Sequence, residues 1–129
     1  LIGSFFPESY TSEPRLRIEA YRKLAQMREE SEIDGFLEEL KDRFGTPPDE
    51  VFALTQETRI RCLTEEAGFD MIEVRKNEIY CRMIQRGKDG TKHYHRKAGQ
   101  IPKLSSKEPL LKLNEIIRFL RIVHHGNKN

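Results

Sequence analysis

The sequence predicts an α+β fold: N-terminal helices including a tight helical hairpin, then a small antiparallel sheet of about three strands, then a C-terminal helix. Apolar residues recur at three- and four-residue spacing in three N-terminal segments punctuated by glycine and proline, and again near the C-terminus. Between them a single block switches to a period of two. Strands gathered in one block, without strand–helix alternation, argue against a parallel sheet built from βαβ units.

Each element has its own signals. "LIGSFFPESYTSEP" reads as a short apolar strand running into a loop punctuated by Pro7 and Pro14. Ser12 can cap a helix with Pro14 in its first turn. Leu16, Ala20, Leu24 and Met27 supply its stripe, widened by Ile18, Tyr21 and Ala25, so the spacing predicts a helix over about 13–29. Ser31 and Asp34 resemble a capping box with aspartate in place of glutamate. Ile33, Phe36, Leu37, Leu40 and Phe44 then form a regular apolar face. Gly45 ends that helix as a left-handed residue. Thr46 caps the next and Pro47 takes its first position. This third helix is expected to run to about Ala67, with Gly68 as its stop and Val51, Leu54, Ile60, Leu63 and Ala67 among its apolar positions. Only one or two residues then separate the second and third helices, hence the hairpin.

In "FDMIEVRKNEIYCRMIQ" two alternating runs flank Lys76-Asn77, a β-hairpin signal. Met71, Ile72 and Val74 lead in, and Ile79, Cys81 and Met83 return on one face. "RGKDG" is a turn cluster, "TKHYHRK" a third candidate strand, and "AGQIPKLSSKEP" a loop. Ser106 can cap the last helix, with Pro109 in its first turn. Leu110, Leu113, Ile116, Ile117, Leu120 and Val123 mark its buried face, and the tail "HHGNKN" is expected to fray.

With 129 residues, the chain suits one domain with one modest core. A net charge of +2 implies no partner, but its distribution is uneven. Glu29–Glu50 holds nine acids against two bases, and Arg75–Glu108 ten bases against three acids, which predicts two differently charged surfaces. Cys62 and Cys81 do not make a disulfide framework and are expected to be reduced in a cytoplasmic protein. No apolar run reaches the roughly 18 residues that suggest a membrane span, and no signal peptide is recognisable. The chain opens at Leu1 in what looks like mid-strand, so a domain cut from a larger protein is expected.

No active-site constellation stands out. "GKDGTK" lacks the spacing of a phosphate-binding loop. His93 and His95 alternate on a strand, but no spacing supplies a third metal ligand, and a solvated strand face is the better reading. Glu38 and Glu39 lie on an exposed helix face without a cleft partner. No catalytic residue, metal or cofactor is expected. The basic strands, with Arg82, Lys92 and Arg96 at their centre and Tyr80 and Tyr94 interleaved, could contact nucleic acid. An edge sheet guarded by cations is the better reading.

The acidic end of the second helix is the stronger lead. Glu39 and Arg43 are four apart, in the favourable order for a helix ion pair, and Asp42 lies three from Glu39. Asp42 stands where the helix dipole disfavours an acid. Phe44, Gly45 and Pro47 form the turn that fixes this end. Such a cluster can dock against an arginine-bearing surface, or be absorbed by an intramolecular network.

Three motifs in order carry a resemblance: "FFPESY", then "RLRIEAYRKLA", then "LEELKDRFGTPPDEV" followed by an alanine–glycine helix stop. Pro7, Tyr10, Arg15, Leu16, Tyr21, Asp42, Arg43, Phe44, Gly45 and Pro48 occupy the pattern. Over roughly residues 5 to 70 the chain resembles the C-terminal domain of the bacterial transcription-repair coupling factors. Thr11, Thr55 and Thr64 depart from it, standing where apolar or small residues are usual. The resemblance implies a non-catalytic domain of a large ATP-driven DNA translocase. That translocase displaces stalled RNA polymerase and recruits excision repair through UvrA. It further implies that the domain packs on the parent's N-terminal UvrB-like module and so masks the UvrA-binding surface. Carried over by motif, Glu39, Asp42 and Arg43 make that contact. Direct DNA contact is not expected of the domain.

Overall fold

The computed structural model describes residues 3–84, 92–95 and 104–127. Among them the elements run α1 (Pro14–Gln26), α2 (Glu30–Phe44), α3 (Asp49–Glu66), β1 (Phe69–Arg75), β2 (Glu78–Ile84), β3 (Lys92–His95) and α4 (Pro109–Asn127), the expected α+β order. The chain divides into two compact units, Leu1–Cys62 and Leu63–Asn129, with α3 running through the division.

In the first unit, the N-terminal strand expected from "LIGSFF" is absent among the described residues, and Gly3–Glu13 is loop and turn. Pro7 has no N–H to give a ladder, and its carbonyl instead accepts from Tyr10 and Thr11 at 3.1 and 3.0 Å. Phe6 enters the core, edge-on to Tyr21 at 5.3 Å and to Phe36 at 6.3 Å. The α1 stripe is narrower than expected. Leu24, Ala20 and Met27 are buried, whereas Ile18 is 59 % exposed and Tyr21 39 %. Tyr21 sits at the edge because its hydroxyl accepts the Phe6 N–H at 2.8 Å.

The helix ends correct the sequence in detail. Ser12 does not cap α1; Glu13 takes the cap position without a side-chain bond, and Pro14 opens the helix. The helix stops at Gln26, before the expected 29, because Met27 turns extended and buries its side chain. Its terminal carbonyls find donors on α3: Arg61 Nη2 reaches Leu24 O at 2.8 Å and the Cys62 thiol reaches Met27 O at 3.5 Å. For α2 the box is formed by Glu29 and Glu32, not Ser31 and Asp34, which lie inside the helix. Glu32 Oε1 accepts from the Arg28 and Glu29 N–H groups, each at 3.2 Å.

Between α2 and α3 lie Gly45, Thr46, Pro47 and Pro48, a longer link than the one or two residues expected. The cause is the second proline. A residue before proline is pushed out of helical conformation, so Pro47 cannot begin the helix. The Pro48 carbonyl instead accepts the first bonds, from Val51 at 3.1 Å and Phe52 at 3.0 Å, and Thr46 stays outside. Along α3, buried Thr55 and Thr58 satisfy their hydroxyls on the Phe52 and Leu54 carbonyls at 2.7 and 3.0 Å, which lets threonine occupy apolar positions.

In the second unit, Lys76 (φ 49°) and Asn77 (φ 63°) turn β1 into β2. Two successive positive φ angles define the two-residue hairpin whose twist matches its strands. The antiparallel order is β1-β2-β3, with a bulge between Phe69 and Met71. Ile79 and Cys81 are buried on the face expected. Burial pushes the Cys81 thiol up to about 12, and both cysteines are free and buried. Pro109 opens α4, with Glu108 O accepting from Lys112 N–H at 2.9 Å. Ser106 therefore sits before the cap, its hydroxyl accepting the Glu108 N–H at 3.2 Å. Ile116, Ile117, Leu120 and Val123 are buried as expected, Leu110 and Leu113 only half-buried, and the helix continues through His124 and His125 where fraying was expected.

Candidate partner-binding site

The end of α2 is fixed from three directions. Gly45 N–H donates to Lys41 O at 3.0 Å, closing the last turn. Gly45 has φ 85° and ψ −172°, a region essentially reserved for glycine, so the chain leaves extended and not through the left-handed helical conformation expected. The Tyr10 hydroxyl donates to Gly45 O at 2.8 Å, with Leu40 O at 3.3 Å. Burial raises the Tyr10 pKa, keeping that donor protonated. The Phe44 ring, half-buried, lies 5.7 Å from the Tyr10 ring. Pro47 is half-buried in the link.

On this platform Glu39 and Arg43 come together as the spacing predicts, with Glu39 Oε1 3.8 Å from Arg43 Nη1. Glu39 also lies 3.9 Å from Lys23 Nζ of α1. All three side chains are about half exposed, and separations near 4 Å in such exposure hold the groups weakly. The Arg43 guanidinium sits over the Phe44 ring at 5.2 Å. Asp42 is exposed, and among the described residues it has no ion pair and no side-chain hydrogen bond. Glu38, one turn earlier on the same strip, is exposed as well.

Sequence reasoning missed a half-open cavity of about 30 Å³ between α1 and α2. Leu16, Ala20, Phe36, Leu40 and Phe44 form much of its apolar wall, and Glu19, Lys23, Glu39 and Arg43 also line it. Thr11 lines it too: that residue is only 3 % exposed, and its Oγ1 has no hydrogen-bond partner among the described residues. The available signal was the departure at Thr11 from an apolar position.

Two cations of the basic strands are engaged within the sheet. Arg82 is engaged by Asp70, with Nη2–Oδ2 at 3.2 Å. Arg75 covers the Tyr80 ring at 4.2 Å, and the Tyr80 hydroxyl donates to Glu78 at 2.8 Å. The side chain of Lys92, and Arg96 entirely, lie outside the described residues, as do the side chains of His93 and His95. No group of three or more metal-ligating side chains occurs among the described residues. No helix among them is long and apolar enough to cross a membrane.

Comparison with known proteins bears on the family and the fold. The transcription-repair-coupling factor of Mycobacterium tuberculosis (strain CDC 1551 / Oshkosh) is 33% identical over 67 residues, covering 52% of this chain and 5% of that protein. That of Rickettsia prowazekii (strain Madrid E) is 37% identical over 72 residues, covering 56% of this chain and 6% of that protein. The chain thus matches only about one-twentieth of the length of these relatives. A crystal structure of the C-terminal domain of transcription-repair coupling factor has the same fold, with a TM-score of 0.68 at 20% identity over 97% of this chain and 91% of that one. The family profile described as the TRCF domain matches residues 2–93, well over half of the sequence, and the chain belongs to that family.

Proposed function

We propose that residues 1–129 serve as one non-catalytic, regulatory domain at the C-terminal end of a transcription-repair coupling factor. In this reading the end of α2 packs on the N-terminal UvrB-like module of the same parent polypeptide and masks the surface that UvrA binds during transcription-coupled nucleotide-excision repair. ATP-driven translocation and the encounter with RNA polymerase belong to other parts of the parent, which works in the cytoplasm. The domain itself needs no cofactor.

Family membership supports the setting, and Asp42 supports the surface. An exposed carboxylate without a partner among the described residues, at the C-terminal end of a rigidly anchored helix, opposes the helix dipole and gains nothing from those residues. Its compensation comes from a cation on another domain. Glu39 and Arg43, held only at 3.8 Å and half exposed, are free to re-pair with the same partner. Removing one member of a desolvated charge cluster costs about 2–5 kcal/mol, partly by stranding the others, and a latch whose two states differ by a few kcal/mol is switchable. The basic strands give less support to a nucleic-acid contact, because Asp70 engages Arg82 and Arg75 covers Tyr80.

The test is Asp42→Ala with Arg43→Ala in the full parent protein, measuring UvrA binding. The double variant is expected to bind UvrA more tightly than the parent. Unchanged affinity counts against the latch.

A further inference from the structure

We propose that α4 pairs with α4 of a second copy of this chain, antiparallel across a twofold axis, through the strip Leu111, Glu115, Arg118 and Ile122. The strip lies apart from the end of α2, so this pairing and the docking reading can each fail without the other.

The strip follows from spacing. Ile116, Ile117, Leu120 and Val123 form the buried side of α4. At 3.6 residues per turn, Leu111, Glu115, Arg118 and Ile122 fall together on the opposite side. Their steps of four, three and four are those of a coiled-coil seam. A lone exposed leucine is ordinary. Here Leu111 is 48% exposed and Ile122 49%, one at each end of the same strip. Arg118 between them is exposed and makes no ion pair among the described residues.

The order of the strip selects its occupant. Apolar, acid, base, apolar is its own complement when one copy is reversed. An antiparallel pair centred between Ile116 and Ile117 sets Leu111 against the partner's Ile122 and Glu115 against the partner's Arg118. The twofold then repeats both contacts. A parallel pair would set acid on acid and base on base. Lys112 and Arg121, the other cations between Leu111 and Ile122, fall on opposite flanks and do not meet across the axis.

Glu115 is positioned in advance. Its carboxylate accepts the Ser105 and Ser106 N–H groups, each at 2.7 Å, and the Ser105 hydroxyl at 3.1 Å. These bonds, led by the Ser105 N–H, lower its pKa and keep it ionised at neutral pH. Of the roughly four acceptor sites of a carboxylate, one remains for an arginine. Charged residues in a seam fix register at a cost in stability, and one helix pair buries little area. The dimer is therefore weak, with a Kd on the order of 100 µM.

Sedimentation equilibrium of this chain, carried to tenfold above that concentration, should show monomer and dimer in exchange. A chain that stays monomeric there overturns the proposal. Leu111→Lys and Ile122→Asp should each weaken self-association by about tenfold or more, because symmetry spoils the contact twice. Both positions are exposed, so thermal unfolding should stay close to that of the unsubstituted chain. Mixed in equal amounts, the two variants should associate with each other, since the new charges meet at one end and the other end stays apolar. Undiminished self-association of either variant, or no recovery in the mixture, overturns the proposal. Disulfide trapping reads the direction. Leu111→Cys should cross-link to Ile122→Cys, whereas two copies of Leu111→Cys lie about 16 Å apart along the pair, beyond disulfide reach. Cross-links between two copies of Leu111→Cys overturn the antiparallel arrangement.

Discussion

The two ends of α2 are built from the same ingredients and have opposite fates. At the N-terminal end Glu30 and Asp34 meet Arg59 of α3 at 2.8 and 2.7 Å, and Gln56 accepts from Arg59 Nε at 3.1 Å. The Arg59 side chain is only 11% exposed. Burial alone would lower its pKa, but hydrogen bonds and charge from Glu30 and Asp34 outweigh burial and raise it. At the C-terminal end the distances are 3.8 and 3.9 Å and the groups are half exposed, while Asp42 has no partner among the described residues. Short distance plus burial makes a charge cluster part of the architecture. Long distance plus exposure leaves its charges available for something else.

The largest expected effect falls on the buried end. Arg59→Ala removes the short ion pair to Glu30 and the Arg59 Nε hydrogen bond to Gln56. It should lower stability to urea by about 1.5–3 kcal/mol, the range for lost hydrogen bonds to charged groups. Asp34, whose side chain is 64% exposed, contributes less to that loss than Glu30 at 27%. Arg43→Ala should cost under about 0.5 kcal/mol in the same measurement. Equal losses for the two arginines would break the contrast between the ends.

Next comes the turn that holds the exposed end in place. At Gly45 an added Cβ meets nothing within 4 Å, so sterics with neighbours do not oppose a side chain. The backbone does, because φ 85° with ψ −172° is strained for any L-residue. Gly45→Ala should therefore cost about 1–2 kcal/mol, read by chemical denaturation. It should also weaken docking, since the platform under Asp42 and Arg43 must shift. Docking left intact alongside the stability loss would mean that turn geometry does not set the contact.

The exposed end was legible in the sequence and the buried end was not. Glu39 and Arg43 announce themselves by four-residue spacing within one helix, and Gly45 by its place after the last apolar position. Likewise Lys76-Asn77 marks its hairpin locally. Arg59 pairs with residues 29 and 25 positions away, and local periodicity carries no information about such a meeting. The same holds for Arg61 and Cys62, which take up the end of α1 across 37 and 35 positions. Caps were misplaced where a competing local rule won: Pro48 overruled Thr46 and Pro47, and Glu29 with Glu32 overruled Ser31. Thr11 was visible as an oddity, but only packing reveals that its hydroxyl is buried without a partner among the described residues.

The smallest stability effect is the most discriminating. Asp42 lies in the last turn of α2, where the helix carries partial negative charge. Replacing it by lysine removes an unfavourable interaction and adds a favourable one, so Asp42→Lys should stabilise this chain by a few tenths of a kcal/mol up to about 1. The same change puts a cation against the arginine-bearing surface proposed as its partner, and should abolish docking through like-charge repulsion. A residue kept for folding moves stability and binding in the same direction. Here stability and docking must move oppositely: higher thermal stability of the isolated chain together with weaker docking, which the parent reports as greater UvrA affinity. A stability loss on Asp42→Lys would mean that the carboxylate has a partner within the fold. The two ends of α2 would then differ only in degree.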